Sequence, residues 1–207
     1  MSYLGEMGQM PFLGKAEIAR RVEELLDECW DGKYPVDIES VCDYLGIALL
    51  PVRNLAHTFQ VDAFLAADFK TIFVDEEGYE RESYRYRFSV AHELGHYVLH
   101  RDYCSSRVES YEEWLGLSQN ANSGYVEFQA NYFAGSLLVP ENELVGVLNE
   151  EFGGNMARYY WWVRREELER IMREVRRFFK VSEQVVKRRM GEMVYGLDVS
   201  GWRKCRN

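Results

Sequence analysis

Residues 84–100 read YRYRFSVAHELGHYVLH. Phe88, Ala91, Leu94, Val98 and Leu99 recur at three- and four-residue steps, which is the period of an α-helix. Within that helix, His92 and His96 are four apart, so they share a face one turn above each other. Two imidazoles so placed can ligate one zinc ion. Glu93, one step round from His92, can take a proton from water that the ion activates. The chain has only four histidines, so this spacing is informative.

A catalytic zinc site takes three protein ligands and keeps one position open. His100 continues the four-residue series, but it lies eight residues from His92, about 12 Å along a helix axis. Zinc–nitrogen bonds are about 2 Å, so one ion cannot join both from a straight helix. His100 is therefore assigned to the helix end, as a cap or a local packing group. The longer pattern HExxHxxGxxH also fails, because Leu99 and Asp102 stand at its Gly and His places. His57 is distant and has only its residue type to recommend it. Glu127 is the better candidate. It opens the helical stretch EFQANYFA (127–134), and His₂Glu is an established donor set for catalytic zinc. A Glu at a helix N-terminus is also favoured by the helix dipole alone, so that reading stands beside the ligand role. Asn131, one turn later, is a candidate hydrogen-bond partner for a ligating histidine. Ala130, Ala134 and Gly135 would allow close approach to the HExxH helix.

Working outward, residues 15–30 read as a helix with Ile18, Val22, Leu25 and Leu26 on one stripe. Residues 36–46 read as a second helix stopped by Gly46. IALLPV (47–52) reads as a buried strand, and FQVDAFLAAD with KTIFVDEEG as a hairpin or meander. Residues 101–123 are polar and read as a loop. Helices follow over about 126–138, ending before Pro140, and over 141–151. The pattern predicts an α+β fold: a small twisted sheet packed with helices around the HExxH helix, followed by a C-terminal helical extension.

The 207 residues carry 47% hydrophobic and 29% charged side chains, a globular balance that excludes a largely disordered chain. No apolar run reaches membrane-spanning length, and the first residues lack the pattern of a secretion signal, so the expected location is cytoplasmic. The cysteines Cys29, Cys42, Cys104 and Cys205 form no CxxC pair and read as free thiols, Cys42 as a core residue. Charge is uneven: residues 1–155 hold 11 Lys+Arg against 27 Asp+Glu, and residues 156–207 hold 14 against 7. In the basic part, Leu168, Ile171, Val175 and Phe178 form a stripe. Ser182 resembles the N-cap of a further helix bearing Lys187, Arg188 and Arg189. Helix, short turn and basic helix outline a helix-turn-helix, so residues 156–207 are a candidate DNA contact. A solvated helix face, or packing against the core, explains the same charges. The aromatic run Tyr159–Trp162 reads as core or interface.

AHELGHYVLH followed by EFQANYFAGSLLVP resembles the ImmA/IrrE family of bacterial and phage zinc metallopeptidases. Those proteins pair an HELGH helix with a helix of pattern ExxANxFAxxLLxP, which here runs from Glu127 to Pro140. The motif likeness covers about residues 84–140, and looser likeness covers about 15–190. It implies zinc on His92, His96 and Glu127, with Glu93 catalytic. With the charge break at 155/156, the expected organisation is a zincin-like metallopeptidase domain over 1–155 and a basic helical extension over 156–207. The substrate implied is a protein, a repressor or antitoxin-like regulator cut at one site. Tyr97, Tyr103 and Tyr132 are candidate helpers for a developing oxyanion. The alternatives are a DNA-binding regulator with a vestigial metal site, and a toxin–antitoxin component acting on another target. The insert 101–123 departs from the family pattern and bears on the shape of the cleft.

Overall fold

A computed structural model describes residues 12–105, 123–151 and 165–193. Helix α1 (Lys15–Cys29) buries Ile18, Val22, Leu25 and Leu26, the stripe its periodicity predicts. Helix α2 (Ile38–Leu45) is closed at both ends by local chemistry. Asp37 accepts hydrogen bonds from the N–H groups of Glu39 and Ser40, and Gly46 stops the helix in the left-handed region at φ 68°. Strands β1 (Ala48–Val52), β2 (Ala63–Leu65) and β3 (Thr71–Asp75) form a mixed sheet in the order β1-β3-β2. β1 runs parallel to β3, and β2 runs antiparallel to it with Phe64 opposite Phe73. Ala63, Leu65, Ile72 and Val74 are buried, while Phe64 and Phe73 stack on the other face at 4.9 Å. The result is an α+β fold, as predicted.

Three expectations about the sheet region need correction. β1 is an edge strand rather than a buried one, because it pairs on one side only, and Leu50 is 47% exposed. The segment before β2 is a short helix, α3 (Leu55–Phe59). Asn54 at φ 56° turns the chain, and the Asp75 carboxylate accepts a bond from the Ala56 N–H at 2.9 Å, which fixes that turn. A further short helix, α4 (Glu76–Glu80), is capped by Asp75.

Helix α5 (Tyr84–Ser105) carries the histidines and runs past the predicted end, so residues 101–105 are helical. The remainder of the expected loop, 106–122, lies outside the described residues. Helix α6 (Ser123–Leu138) is buried along most of its length, with Ala130, Phe133, Ala134, Leu137 and Leu138 fully inside. A helix enclosed on most faces need not show an apolar stripe, and α6 does not. Helix α7 (Glu141–Glu151) follows Val139 and Pro140.

Helices α8 (Arg165–Phe179) and α9 (Glu183–Met193) are joined by Lys180–Ser182. Lys180 sits at φ 49°, and the Ser182 hydroxyl accepts from the Val185 N–H at 3.4 Å, the cap the sequence predicts. Ile171, Val175, Phe179, Val181 and Val186 join the same buried cluster as Ile18, Val41 and Leu94. The stretch 152–164, which spans the expected boundary at 155/156 and holds Tyr159–Trp162, lies outside the described residues.

Arg189 differs from the solvated basic residue the charge pattern suggests. It is 2% exposed and donates from Nε to the Val139 carbonyl at 3.0 Å. Its Nη1 pairs with Glu192 at 2.8 Å, and its stem lies over Gly135, 3.2 Å from where a Cβ would stand. Gly135 therefore admits α9 rather than α5.

Candidate metal centre

α5 and α6 cross in direct contact, and Gly95 sets how closely. A Cβ on Gly95 would stand 3.0 Å from Ala130 Cα, 3.1 Å from Ala130 O and 3.2 Å from Phe133 Cβ. The neighbours are mostly backbone and cannot turn aside, so only glycine allows this spacing. Gly95 adjoins His96, and Ala130 is one turn from Glu127, so the tightest point of the crossing lies beside the candidate ligands.

The crossing brings three predicted residues together. His92 Nε2 and His96 Nε2 are 3.0 Å apart. Glu127 Oε2 lies 3.3 Å from His92 Nε2, and Glu127 Oε1 lies 3.5 Å from His96 Nε2. One donor atom from each residue falls within 4.8 Å of the others. A tetrahedral ion with bonds of about 2.0–2.1 Å holds its ligands roughly 3.3 Å apart. The three separations bracket that value, so the set fits a metal ion.

Glu93 is placed from the opposite side. Leu65 N–H, on β2, donates to Glu93 Oε2 at 2.8 Å. Ala63 and Leu65 are the positions of β2 that do not bond to β3, since Asp62 and Ala66 pair with Asp75 and Thr71. The sheet thus directs a backbone donor at the carboxylate. Burial pushes the Glu93 carboxyl up to about 7, with Glu127 adding to the rise and His92 and the Leu65 N–H opposing it. A divalent cation at the donors would work against that rise.

The surroundings move the three histidine pKa values in different directions. Burial works against protonation of His92, but the hydrogen bond to Glu127, the Glu93 charge and Asn131 together raise its pKa. His96 is pushed well below its ordinary value by burial and by His92 and His100. Burial also lowers His100, against the pull of Gln129 and Glu127. Asn131 donates from Nδ2 to the Glu127 carbonyl at 2.7 Å while its side chain also supports His92.

The other candidates lie elsewhere or do something else. His57 is exposed in α3 and is not part of the donor cluster. His100 is not a helix cap, because α5 continues to Ser105. It is buried, with contacts to His96 and Gln129. The Tyr97 hydroxyl accepts from Arg101 at 2.6 Å, and the Tyr132 ring lies beneath Lys15 and Arg189. The Tyr103 side chain lies outside the described residues. Four features escape sequence reasoning: the Leu65 N–H, the Gly95 contact, the Gln129 bond and the inward Arg189. The Gly inside HELGH was a visible signal for one of them; the rest depend on residues distant in sequence.

The fold and the donor set define a helix-rich α+β protein with a two-histidine, one-carboxylate site able to hold a metal. The chain belongs to the IrrE N-terminal-like domain family, Peptidase_M78, whose family model matches residues 42–190. A Mycobacterium tuberculosis transcriptional regulator of known structure is similar at a TM-score of 0.54 and 22% sequence identity. That match covers 85% of this chain and 46% of the other, and it is a likeness of fold. The chain therefore corresponds to less than half the length of that regulator. No curated protein matches the chain. Among the described residues, no helix is long and apolar enough to cross a membrane.

Proposed function

We propose that the chain is a zinc-dependent endopeptidase that cleaves a protein substrate, a repressor-like transcriptional regulator. The observation that carries this reading is the convergence of His92, His96 and Glu127 beside an oriented Glu93. His92, His96 and Glu127 would hold the zinc, which when bound supplies a Lewis acid for the scissile carbonyl and for water at its open position.

Glu93 removes a proton from the attacking water and returns it to the leaving amine, so one carboxyl serves as base and then acid. The Leu65 N–H holds one oxygen and leaves the other for the proton. β2 is an edge strand beside Glu93, so an extended substrate segment laid along it would pass the carboxylate. Membership of a peptidase family supports the hydrolytic reading.

The alternative of DNA contact through α8 and α9 has less support. Among the described residues, Arg165, Arg170, Arg176, Arg177, Lys180 and Lys187 pair with carboxylates and Arg189 is buried, which leaves Arg173 and Arg188 as the exposed basic groups without an ion pair. The alternative of a toxin–antitoxin component with another target uses the same site but predicts no fragmentation of repressor-like proteins in the test below.

The test is Glu93→Gln with repressor-like proteins encoded near this chain's gene as substrates. The wild type is expected to yield defined fragments by mass spectrometry. The variant should keep its zinc and lose about 10²–10⁴-fold in rate. Equal fragmentation by both proteins, or no fragmentation by zinc-loaded wild type, would refute the proposal.

A further inference from the structure

We infer that His100 and Gln129 are positioning residues that fix the tautomer of His96 and so present its bare Nε2 toward the proposed metal position. The inference rests on the metal reading above and concerns how that site is made ready.

The argument is a chain of three contacts. Gln129 Oε1 lies 2.9 Å from His100 Nε2. His100 Nδ1 lies 3.2 Å from His96 Nδ1. His96 Nε2 lies 3.0 Å from His92 Nε2 and 3.5 Å from Glu127 Oε1. An amide oxygen only accepts, so His100 must carry its proton on Nε2. A neutral imidazole has one N–H, so His100 Nδ1 is then an acceptor. The proton between the two Nδ1 atoms must therefore belong to His96, and its Nε2 is left with a lone pair. That lone pair faces His92 and Glu127, the other two donors.

The opposite polarity is disfavoured at the Gln129 end of the relay, although an N–H at His96 Nε2 would itself find acceptors in His92 Nε2 and Glu127 Oε1. A proton on His100 Nδ1 would make His96 Nδ1 the acceptor and place an N–H at His96 Nε2, among the metal donors. It would also set His100 Nε2, bare, against a carbonyl oxygen. Burial makes the choice costly to reverse, since Gln129 and His100 are each 1% exposed and His96 is 5% exposed. Water has little access to Gln129 and His100, and a buried polar group set against a like partner is penalised. Gln129 is two residues from Glu127 on α6, and His100 is one turn from His96 on α5. The same helix crossing thus brings together the metal donors and the groups that set one donor's proton. Ligating histidines commonly donate their second N–H to a partner that orients them. Here that partner is a second histidine, itself fixed by an amide.

Two measurements on the full chain test this. The first is NMR of the imidazole nitrogens in zinc-free protein near neutral pH. His96 is expected as the Nδ1–H tautomer and His100 as the Nε2–H tautomer. In Gln129→Leu, His100 should lose that preference and His96 should become mixed. The second is zinc affinity by competition with a chromophoric chelator. His100→Phe and Gln129→Leu should bind roughly 10–100-fold more weakly. Gln129→Glu, which keeps the acceptor, should restore most of the affinity. A proton found on His96 Nε2 in the wild type, or unchanged zinc affinity in both disruptive variants, overturns the inference. The NMR measurement needs no variant to fold. Failure of the wild type to bind zinc would defeat the metal reading, while the tautomers would still decide the relay.

Discussion

Replacing Gly95 with Ala probes the α5–α6 crossing directly. The added methyl would sit 3.0 Å from Ala130 Cα and 3.1 Å from Ala130 O. Carbon atoms rest at about 3.5–4.0 Å, so the helices must part locally by roughly 0.5–1 Å. Overpacking of this kind costs about 1–3 kcal/mol. Ala is a better helix former than Gly by about 1 kcal/mol, which offsets part of that. The net loss of stability is therefore about 0–2 kcal/mol, and the protein should still fold. The metal centre has less tolerance. Glu127 is 3.3 and 3.5 Å from its partner nitrogens, and it moves with α6. Metal bonds tolerate only about 0.2 Å, so zinc affinity should fall by more than about tenfold. Gly146→Ala on α7 is the control, because nothing lies within 4 Å of its Cβ. That change should stabilise the fold by about 0.5–1 kcal/mol with zinc binding intact. Urea unfolding and chelator competition read both quantities. If Gly95→Ala stabilises the protein as Gly146→Ala does, with unaltered zinc affinity, the close-approach reasoning is wrong.

Other outcomes follow from particular contacts. Arg189→Met removes a charge-assisted bond to Val139 and leaves Glu192 unpaired, so urea unfolding should show a loss of about 2–3 kcal/mol. Little or no loss would mean α9 is not anchored there. Zinc at about 100 times its dissociation constant should stabilise the wild type by about 2.7 kcal/mol, read as a higher Tm that a chelator reverses. His57→Ala should leave zinc affinity unchanged, because that ring is exposed on α3; a loss would place it in the site. Arg173 and Arg188 are exposed and, among the described residues, form no ion pair. Their replacement by Gln should not alter a gel shift with DNA beyond the background, and a large loss of binding would revive the DNA reading.

The legible parts of the fold were those that act over a turn or two. Ile18, Val22, Leu25 and Leu26 declare α1, Gly46 stops α2, and Ser182 opens α9. The sheet was less legible. IALLPV is apolar enough for a buried strand, and only its place in the strand order makes it an edge. α3 was hidden because a turn at Asn54 and a distant Asp75 override the apolar pattern of its neighbours. Arg189 counted as surface charge in composition but lies inside, because Val139 and Gly135 give its head an acceptor and its stem a groove.

The sequence by itself determined that His92 and His96 share a helix face with Glu93 beside them, since a four-residue step is a property of any α-helix. It also marked Glu127 as a candidate third donor, on residue type and motif. The distances at which that carboxylate stands were decided only by the tertiary structure. So were the strand that orients Glu93 and the amide that sets the proton on His100. The reason is physical: intrahelical spacing is fixed by covalent and hydrogen-bond geometry, whereas the gap between α5 and α6 is fixed by the volumes that meet at Gly95 and Ala130.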